Sequence, residues 1–557
     1  MVLRPKPKAA PAELRVPPPP PSMPPKEAKR ETASLGATPP FPPLKTPMAS
    51  SAVAIAVTHP EAVVKVKPVV QIVIGEEHLA IHEAERLLAE TGLYYVSAGY
   101  LARLVPTQGS MQCEEVNQQT LYVVLSAMIE WHRQNRNGEW EVCNPPQHLI
   151  STLLFNRDRK HLQTLTGIAH QPYFDANEQL VITPGFNPGT GIYACFGSND
   201  YPIIASSMDD ARNSLMMLKA ELAEFEFEKA EDLAAALCAM LTAVIRPGLP
   251  LAPAFSINAA SSGSGKSLLA SLIALFATPL HPYVTSYPTT ATEAIKVILA
   301  MLLEKPTVIL FDDMQHDWKP FGAINKALTS QTTTERRLGK SGTATAQTNS
   351  LFLGTGNNIG PVKDMRRRVV SSRLAPKIIR RNFKHNPYKQ ISQHRSVYVR
   401  SALTIIQAFL IHGKRDENLP QIGSYDEWSR LCREPLIWLG EPDPATSLIQ
   451  QMDDNTDNEE FSVFLKLWRD MYDDESVMVR ELIADAKRKP ELLAIIHELP
   501  VIERGEISGH LLGQWIKSHR GVRVNGLRIE DGFSTERKSW RVLTDDEKTA
   551  PPPRRAS

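Results

Sequence analysis

One eight-residue segment, ASSGSGKS at positions 260–267, constrains this chain more than any other stretch. Apolar Phe255 and Ile257 lead into it as a predicted strand, and the apolar run after it predicts a helix over residues 267–276. Glycine tolerates the backbone that turns successive N–H groups inward, and the N-terminus of a helix favours an anion. A strand, such a loop and a helix in this order are typical of a phosphate-binding loop in an α/β protein.

Each residue type in this loop has a chemical role. Gly263 and Gly265 would let the backbone wrap around phosphates. Lys266 would reach the β- and γ-phosphates of ATP, and Ser267 would ligate Mg²⁺. The first position holds alanine where the general motif has glycine. The alternative to a phosphate-binding loop is a Gly/Ser-rich turn before an ordinary core helix. The predicted nucleotide-binding residues are Ala260, Ser261, Ser262, Gly263, Ser264, Gly265, Lys266 and Ser267.

A second apolar segment, TVILF at residues 307–311, predicts a buried strand that ends in Asp312 and Asp313. Ligands of α/β sheets bind at the carboxyl ends of the strands, so we expect these carboxylates beside the loop. Asp312 would hold the Mg²⁺. Asp313 would orient or deprotonate the attacking water.

A third segment, NSLFLGTGNN at residues 349–358, predicts a strand that ends in tandem asparagines. An amide at this place can hydrogen-bond both the γ-phosphate and the lytic water, and so can couple hydrolysis to movement of the strand. We favour Asn357 over Asn358 for this role. The alternative is that asparagine merely suits the turn at the end of a strand.

A basic cluster, DMRRR, follows at residues 364–368. Arginine suits planar recognition of phosphate oxygens, and an arginine finger from a neighbouring subunit stabilises transition-state charge. Arg367 or Arg368 is the candidate. A solvated basic cluster is the competing interpretation.

Composition limits the remaining possibilities. The net charge is +1, from 62 basic and 61 acidic residues, so any nucleic-acid binding must come from local patches. The five cysteines lie far apart and form no C-x-x-C, which argues against a disulfide framework or zinc cluster and fits a reducing cytoplasm. No apolar run approaches the roughly 18 residues that span a bilayer. We therefore expect a cytoplasmic protein without membrane partners.

One local patch stands out, because no acidic residue occurs between Asp364 and Asp416. Tyr388 and Tyr398 interleave with the basic side chains there, which would suit a surface that tracks a nucleic-acid backbone. A merely solvated face is the alternative. The basic residues that we assign to this patch are Arg373, Lys377, Arg380, Arg381, Lys384, Lys389, Arg395 and Arg400, of which Arg380, Arg381 and Lys384 are the predicted DNA contacts.

Composition and periodicity also divide the chain. Strands that alternate with helices after residue 250 imply a mainly parallel sheet covered on both faces, and residues 211–245 read as one helical stretch. Short helices followed by two extended segments near the end suggest a winged helix. The predicted divisions are a disordered proline-rich arm (1–72), an accessory α/β domain (73–215), a P-loop motor (216–380), a basic and helical region with an acidic linker at 453–460 (381–478), a winged-helix-like domain (479–546) and a flexible tail (547–557).

The loop, the paired acids, the strand-end asparagine and the arginine pair, in this order, resemble superfamily-three-type AAA+ helicases. More closely, the chain resembles the replicative helicase domain of phage and mobile-element primase–helicase proteins. Supporting segments are TERRLGK at 334–340, TGNN at 355–358, D-x-x-R-R at 364–368 and LIWLGEPDP at 436–444. The resemblance spans about residues 110 to 545, and no recognisable primase motif lies upstream.

This resemblance implies a ring, commonly a hexamer, with nucleotide bound between subunits. It also implies a hairpin before the third strand that pushes DNA through the central pore. Lys340 is then the candidate phosphate contact, with Arg336 and Arg337 as nearby alternatives, although an ordinary surface turn also fits. The implied partners are single-stranded or forked DNA and other replication proteins.

The expected fold is therefore a P-loop AAA+ parallel-sheet motor with an N-terminal α/β accessory domain and a C-terminal helical or winged-helix region. The expected function is an ATP-dependent, Mg²⁺-requiring DNA helicase or translocase that acts in replication of a phage or mobile element. An NTP-driven switch or loader that remodels a protein partner is the alternative, and a small-molecule P-loop kinase is a third. Lys340 and the basic patch distinguish the first two, because a switch needs neither.

Overall fold

The computed structural model describes residues 66–547, apart from 108–109, 203, 262, 338–341, 377–385, 454–455, 504, 534–537 and 545–546. Side chains of residues 453 and 456–459 are also outside the description. Several predictions concern residues that are not described. These are the arm up to residue 65, the tail from residue 548, Ser262, Lys340, Lys377, Arg380, Arg381 and Lys384.

The described residues of the N-terminal section, within 66–206, form small sheets and three helices. Its strands are β1 (Val69–Ile72), β2 (Tyr94–Ser97), β3 (Tyr100–Thr107), β4 (Ser110–Glu115), β5 (Glu130–Gln134), β6 (Trp140–Cys143), β7 (Gly167–Ala169), β8 (Tyr173–Phe174), β9 (Leu180–Val181), β10 (Gly185–Asn187) and β11 (Ile192–Ala194). Its helices are α1 (Glu77–Glu90), α2 (Gln118–Met128) and α3 (Gln147–Phe155). The strand orders are β1-β5-β6, β2-β3-β4, β10-β11-β7 and β8-β9. Helix α1 buries Ala80, Ala84 and Leu88 on one face, as helical spacing predicts.

The central section, residues 207–453, contains the largest sheet among the described residues. Its strands are β12 (Ala254–Ala259), β13 (Tyr283–Thr285), β14 (Val308–Met314), β15 (Thr332–Arg336), β16 (Thr343–Gln347), β17 (Leu351–Asn357) and β18 (Val369–Leu374). Its helices are α4 (Met208–Leu222), α5 (Ala230–Ile245), α6 (Lys266–Ala277), α7 (Ala291–Leu303), α8 (Gly322–Thr329), α9 (Pro387–Gln393), α10 (Arg395–His412), α11 (Asp426–Trp428), α12 (Glu434–Trp438) and α13 (Thr446–Asp453). The predicted boundary at residue 215 falls inside α4, and the domain limits stay a prediction.

The central sheet has five parallel strands in the order β13-β14-β17-β12-β18. Successive side chains of a strand point to opposite faces. Leu310 accordingly packs into a core with α5, α6 and α10, whereas Ile309 and Phe311 pack into another with α7 and α8. The predicted parallel sheet with both faces covered is confirmed. The carboxyl ends of all five strands meet at one edge of the sheet, which we call the carboxyl edge. We call the opposite edge the amino edge.

The prediction of one helical stretch over residues 211–245 is wrong at residues 223–229. There the chain separates α4 from α5 and runs along the outer side of β18. The Glu226 carbonyl accepts from the Ala375 N–H, and Phe227 forms an antiparallel bridge with Leu374. The segment EFEFE at 224–228 alternates with a period of two, which favours an extended strand over a helix.

The C-terminal section, residues 456–547, packs helices against a small antiparallel sheet with the order β21-β22-β23. Its strands are β19 (Ile502–Glu503), β20 (Glu506–Ile507), β21 (Arg523–Val524), β22 (Leu527–Asp531) and β23 (Trp540–Thr544), and its helices are α14 (Thr456–Tyr472), α15 (Val479–Ala486), α16 (Pro490–Glu498) and α17 (Gly509–Ser518). The core contains Trp468, Ile516 and Trp540. Residues 456–460 of the predicted acidic linker are helical and belong to α14, residues 454–455 are outside the described residues, and the linker stays a prediction.

A buried ion pair stabilises the end of the central section. Arg433, which is 1% exposed, donates from Nε and Nη2 to the two carboxylate oxygens of Asp443 at 2.7 and 2.5 Å. Its Nη1 donates to the Pro420 carbonyl at 2.8 Å. The guanidinium therefore depends on Asp443 for its counter-charge.

We expect Asp443→Ala to lower the free energy of unfolding by about 3–5 kcal/mol, because it leaves a buried guanidinium without its partner. Urea denaturation measures this difference. Asp470→Ala, at an exposed position of α14, serves as the control and should change the value by less than about 0.5 kcal/mol. Equal midpoints for the two variants would contradict a structural role for the pair.

Candidate functional site

The 260–265 loop joins the carboxyl end of β12 to the start of α6. Gly263 and Gly265 have φ angles of +70° and +97°, in the left-handed region that favours glycine. Gly265 is also the N-cap of α6. Ala260, by contrast, does not adopt a positive φ. Alanine at the first position therefore introduces no backbone strain of this kind.

Lys266 lies at the start of α6 and is 8% exposed. Its Nζ donates to Asn357 Oδ1 at 2.7 Å, to the Ser261 carbonyl at 3.2 Å and to Ser264 Oγ at 3.3 Å. Burial lowers the pKa of the Lys266 amine, while the carboxylates of Asp313 and Asp312 oppose this shift. The ammonium is thus held between the loop and the end of β17.

A hydroxyl and a carboxylate meet beside this lysine. Ser267 Oγ donates to Asp312 Oδ1 at 2.9 Å, although the two residues belong to α6 and β14. The same oxygen accepts from Thr355 Oγ1 at 2.5 Å, and Thr355 Oγ1 accepts from the Asp313 N–H at 3.0 Å. Thr355 therefore orients both acidic residues. Sequence reasoning missed this role, but strand alternation puts Thr355 on the same face as Asn357.

Asp313 lies within a register shift in β14, between Phe311 and Met314, and its side chain is exposed. Its φ of +50° is unusual for a residue other than glycine, although aspartate visits this region more readily than most. Because the backbone is irregular here, the side chains of the two neighbouring acids point in different directions. Asp312 contacts Ser267, whereas Asp313 reaches solvent at the same edge.

These residues fit a hydrated divalent cation better than a closed metal centre. No group of three or more His, Cys, Asp or Glu side chains with metal-binding geometry occurs in the described part of the chain. Mg²⁺ commonly takes one or two protein oxygens and completes its shell with water and phosphates. The oxygens of Ser267 and Asp312 could supply that pair. In the loop, the Ser261 hydroxyl is shielded from solvent and has no hydrogen-bond partner among the described residues, so the loop keeps an unused polar group.

The two asparagines at the end of β17 have different surroundings. Asn357 pairs in register with Ala259 of β12, and its amide oxygen faces Lys266. Asn358 has a φ of +51°, and its backbone N–H donates to the Ala259 carbonyl at 3.1 Å. Only the first contacts the lysine through its side chain. Its role in hydrolysis stays a prediction.

The arginine pair lies at the other edge of the sheet. Arg368 directly precedes β18, whose first residue is in register with Ala254 at the start of β12. Strand β12 has six residues, so this edge is roughly 17 Å from the loop at about 3.3 Å per residue. Arg367 and Arg368 therefore lie far from Lys266 of their own chain.

The two arginines also differ in availability. Both pair with Asp364, at 2.6 Å for Arg367 and 2.7 Å for Arg368. The side chain of Arg367 is 60% exposed and that of Arg368 is 9% exposed. Arg368 also donates to the Asp364 carbonyl. Of the two, Arg367 is the one that could reach another molecule.

Strands β15 and β16 form an antiparallel hairpin at the amino edge, with Arg336 opposite Thr343. Arg336 is exposed, and residues 338–341 of the turn are outside the description. Arg337 ties the stem to β4, because its Nη2 and Nη1 donate to the carboxylate oxygens of Glu115 at 2.7 and 3.3 Å. Its guanidinium also lies 4.6 Å from the centre of the Tyr100 ring. The hairpin is thus anchored to the N-terminal section.

Two members of the predicted basic patch do not face solvent as a binding surface. The Arg395 guanidinium donates to the Phe276 carbonyl at 3.1 Å and to the His170 carbonyl at 3.0 Å. Tyr398 is 5% exposed, and its hydroxyl donates to Glu221 Oε1 at 2.5 Å. For these two residues the prediction of a nucleic-acid surface is wrong. Arg373 and Lys389 are exposed.

Two further expectations concern the whole chain. No helix in the described ranges has the length and apolarity that crossing a bilayer would need. All five cysteines are described, and each is a free thiol.

No family model and no curated protein matches the chain. The NrS-1 C-terminal region aligns with 83% of this chain and 99% of its own, at 9% identity and a TM-score of 0.37. The SCCmec type IV Cch active helicase aligns with 81% of this chain and 97% of its own, at 10% identity and a TM-score of 0.30. The JCV helicase aligns with 42% of this chain and 62% of its own, at 12% identity and a TM-score of 0.18. Similarities at TM-scores this low carry no argument about the function of this chain.

Proposed function

We propose that this protein is an ATP-hydrolysing motor of the P-loop AAA+ class. One observation carries the proposal. At the carboxyl edge, Lys266 contacts Asn357 at 2.7 Å while Ser267 contacts Asp312 at 2.9 Å. Three different elements bring their polar groups together there, next to a glycine loop at the start of a helix. These groups are an ammonium, a hydroxyl–carboxylate pair and an amide. This is the set of groups that phosphoryl transfer to water requires.

The chain's own residues divide the work. The loop N–H groups and Lys266 would hold the β- and γ-phosphates of ATP in one orientation. Ser267 and Asp312 would hold Mg²⁺, which when bound supplies charge that offsets the charge developing on the phosphate oxygens. Asp313, exposed at the same edge, would accept a proton from the attacking water. Asn357 would position that water relative to Lys266.

A neighbouring subunit would complete the site. Arg367 is exposed but lies at the amino edge, so it cannot act on the ATP of its own chain. A ring, for which we propose a hexamer, could bring the amino edge of one subunit to the carboxyl edge of the next. Arg367 would then stabilise transition-state charge on its neighbour's ATP. In this arrangement Arg368 would position the turn through Asp364.

Strand β17 offers a path from hydrolysis to movement. It ends at Asn357 beside Lys266, and three residues separate its start from β16, the second strand of the hairpin. A displacement of Asn357 would therefore shift the hairpin at the opposite edge. Lys340 in the hairpin turn, with Arg336 in its stem, would contact the phosphates of single-stranded or forked DNA. We accordingly propose a DNA helicase or translocase that acts in replication of a phage or mobile element.

The outer sections would assist this motor. The antiparallel sheet β21-β22-β23 and helix α17 support a winged-helix-like domain that docks on duplex DNA. Residues 380–384 of the basic patch would follow the DNA backbone. The N-terminal section would serve as an accessory domain. We expect the protein to act in the cytoplasm, with other replication proteins as its partners.

Stimulation of ATP hydrolysis by single-stranded DNA tests this proposal. We expect a several-fold rise in turnover that is lost in Lys340→Ala, because the hairpin cation transmits contact with DNA, while basal turnover is retained. The same variant should lower the salt dependence of DNA binding by about one unit of slope, as expected for one phosphate contact. Lys319→Ala, at an exposed position outside the hairpin, is the matched control. Turnover that is indifferent to DNA would contradict the helicase proposal and favour the assembly switch.

A further inference from the structure

A cleft of about 800 Å³ lies between the N-terminal section and the amino edge of the parallel sheet. Strands β4 and β7, helix α7 and the stem of the β15–β16 hairpin contribute to its walls. Its apolar lining includes Met111 and Ile168 from the N-terminal section and Leu299 and Leu303 from α7. Because it lies at the amino edge, the cleft is separate from the site around Lys266.

Lys305 lines this cleft and is 8% exposed. Its Nζ donates to the Thr166 carbonyl at 3.2 Å, and no carboxylate of the described residues lies within 4.0 Å of it. An ammonium has three donors, so two remain for other acceptors. Burial lowers the pKa of Lys305, an effect that the nearby Cys113 thiol partly opposes. A buried cation without a counter-charge is unfavourable, and an anion in the cleft would relieve this.

His170 lines the same cleft and is 6% exposed. Neither ring nitrogen forms a hydrogen bond of standard geometry with a described residue. Burial, and to a smaller extent the charge of Arg395, lowers the pKa of His170 to about 3. A polar contact with the Ala277 backbone opposes this shift. The imidazole is therefore neutral near pH 7 and offers one N–H donor and one acceptor. Buried polar groups normally have partners, so an unpartnered one at a cleft wall indicates a ligand contact.

The rim of the cleft carries charges of both signs. Glu114 pairs with Arg103 at 3.1 Å, and Glu115 pairs with Arg337 at 2.7 Å. Lys296 is exposed on the rim, and Glu304 is exposed near it. A mixed rim does not favour a polyanion. The uncompensated charge lies at the bottom, where one anionic group would fit.

We propose that this cleft binds a small organic anion, a carboxylate or phosphate monoester whose charged group meets Lys305 and whose body packs on the apolar lining, with His170 as a further polar contact. Such a ligand would bridge the N-terminal section and helix α7. It would also lie next to Arg337, which anchors the hairpin to Glu115. The inference does not depend on the proposed hydrolysis of ATP.

Three probes with the same ring test the chemistry. Phenyl phosphate, benzoate and uncharged benzyl alcohol are titrated into the full chain that carries Lys266→Ala, which weakens the 260–267 loop as a competing phosphate site. Ligand-observed NMR and thermal unfolding follow binding. We expect at least one of the two anions to bind with a dissociation constant of roughly 1 mM, typical of so small a ligand. Benzyl alcohol should bind at least tenfold more weakly. Preference for one anion distinguishes a phosphate ester from a carboxylic acid, and equal binding of benzyl alcohol would overturn the proposal.

Lys305→Met in the same background tests the contact itself. It removes the charge and keeps the length of the side chain, so we expect at least a tenfold loss of anion affinity while the unliganded protein unfolds at the same or a higher temperature. Lys319→Met is the matched control and should bind as before. Ala300→Phe, at an exposed position of α7 that lines the cleft, should block binding without touching the lysine. Undiminished anion binding in Lys305→Met would show that the anion associates with the surface, and would refute the site. If Lys305→Met does not fold, undiminished binding in Ala300→Phe leads to the same conclusion.

Discussion

Replacement of Lys266 by alanine should lower ATP turnover at least 100-fold. The amine is the one cation that the described structure places inside the 260–265 loop, and removal of a single preorganised electrostatic group typically costs a factor of about 10² to 10³ in rate. Lys266 also contacts the loop through the Ser261 carbonyl, so ATP affinity should fall with the rate. Turnover and nucleotide binding, measured by phosphate release and equilibrium titration, check both effects.

The control for this variant must separate chemistry from folding. Truncation of Lys266 removes a charge from a position that is 8% exposed and leaves no carboxylate buried without its partner, since the Asp312 oxygen keeps Ser267 and Thr355. We therefore expect an unchanged circular dichroism spectrum and unchanged DNA binding. Lys319→Ala should retain full turnover. Normal ATP hydrolysis in a folded Lys266→Ala protein would mean that the 260–267 segment is a structural turn.

Parts of the site could be predicted because of one topological rule. Lys266 and Asn357 are 91 residues apart in sequence, yet they touch, since the carboxyl ends of parallel strands share an edge. The same rule brings Asp312 to Ser267. Recognition of buried strands from apolar runs was sufficient for these contacts. It did not reveal Thr355, whose role depends on the register shift in β14 that turns the Asp313 N–H toward it.

Other features depend on long-range packing that local patterns do not contain. Arg395 looked like part of a charged surface, but its guanidinium meets the carbonyls of Phe276 and His170, which lie 119 and 225 residues away. Tyr398 likewise finds Glu221 in another helix. A basic run records only charge along the chain. Whether a cation faces solvent or satisfies the carbonyls at the end of a helix is decided by which elements pack beside it.

The arginine pair shows the same limit in a different form. Sequence order put Arg367 and Arg368 close to Asn357, and a single-chain interpretation would place all three in one site. The turn at Lys363–Arg367 instead follows a crossing from the carboxyl edge to the amino edge. Spacing along the chain was therefore a poor guide to distance. The separation is what makes a contribution from a neighbouring subunit necessary in the proposed mechanism.

Substitution of Asn357 by alanine should produce a different defect from that of Lys266→Ala. The amide oxygen accepts from Lys266 at 2.7 Å but the loop contacts of the lysine remain, so ATP should still bind. We expect kcat to fall about 100-fold, as for loss of one oriented polar group, while the affinity for ATP changes less than about fivefold. Stimulation by DNA should also disappear, because the Asn357 side chain links β17 to Lys266.

Asn358→Gly is the matched control for that experiment. Its φ of +51° suits glycine, and its backbone N–H bond to Ala259 does not depend on the side chain, so the fold and turnover should be preserved. Single-turnover hydrolysis with bound ATP separates the chemical step from binding. A large loss in Asn358→Gly together with normal turnover in Asn357→Ala would reverse the assignment of the two asparagines. Loss of binding rather than of turnover in Asn357→Ala would mean that the amide serves to hold Lys266 for ATP, and that the signal to the hairpin starts elsewhere on β17.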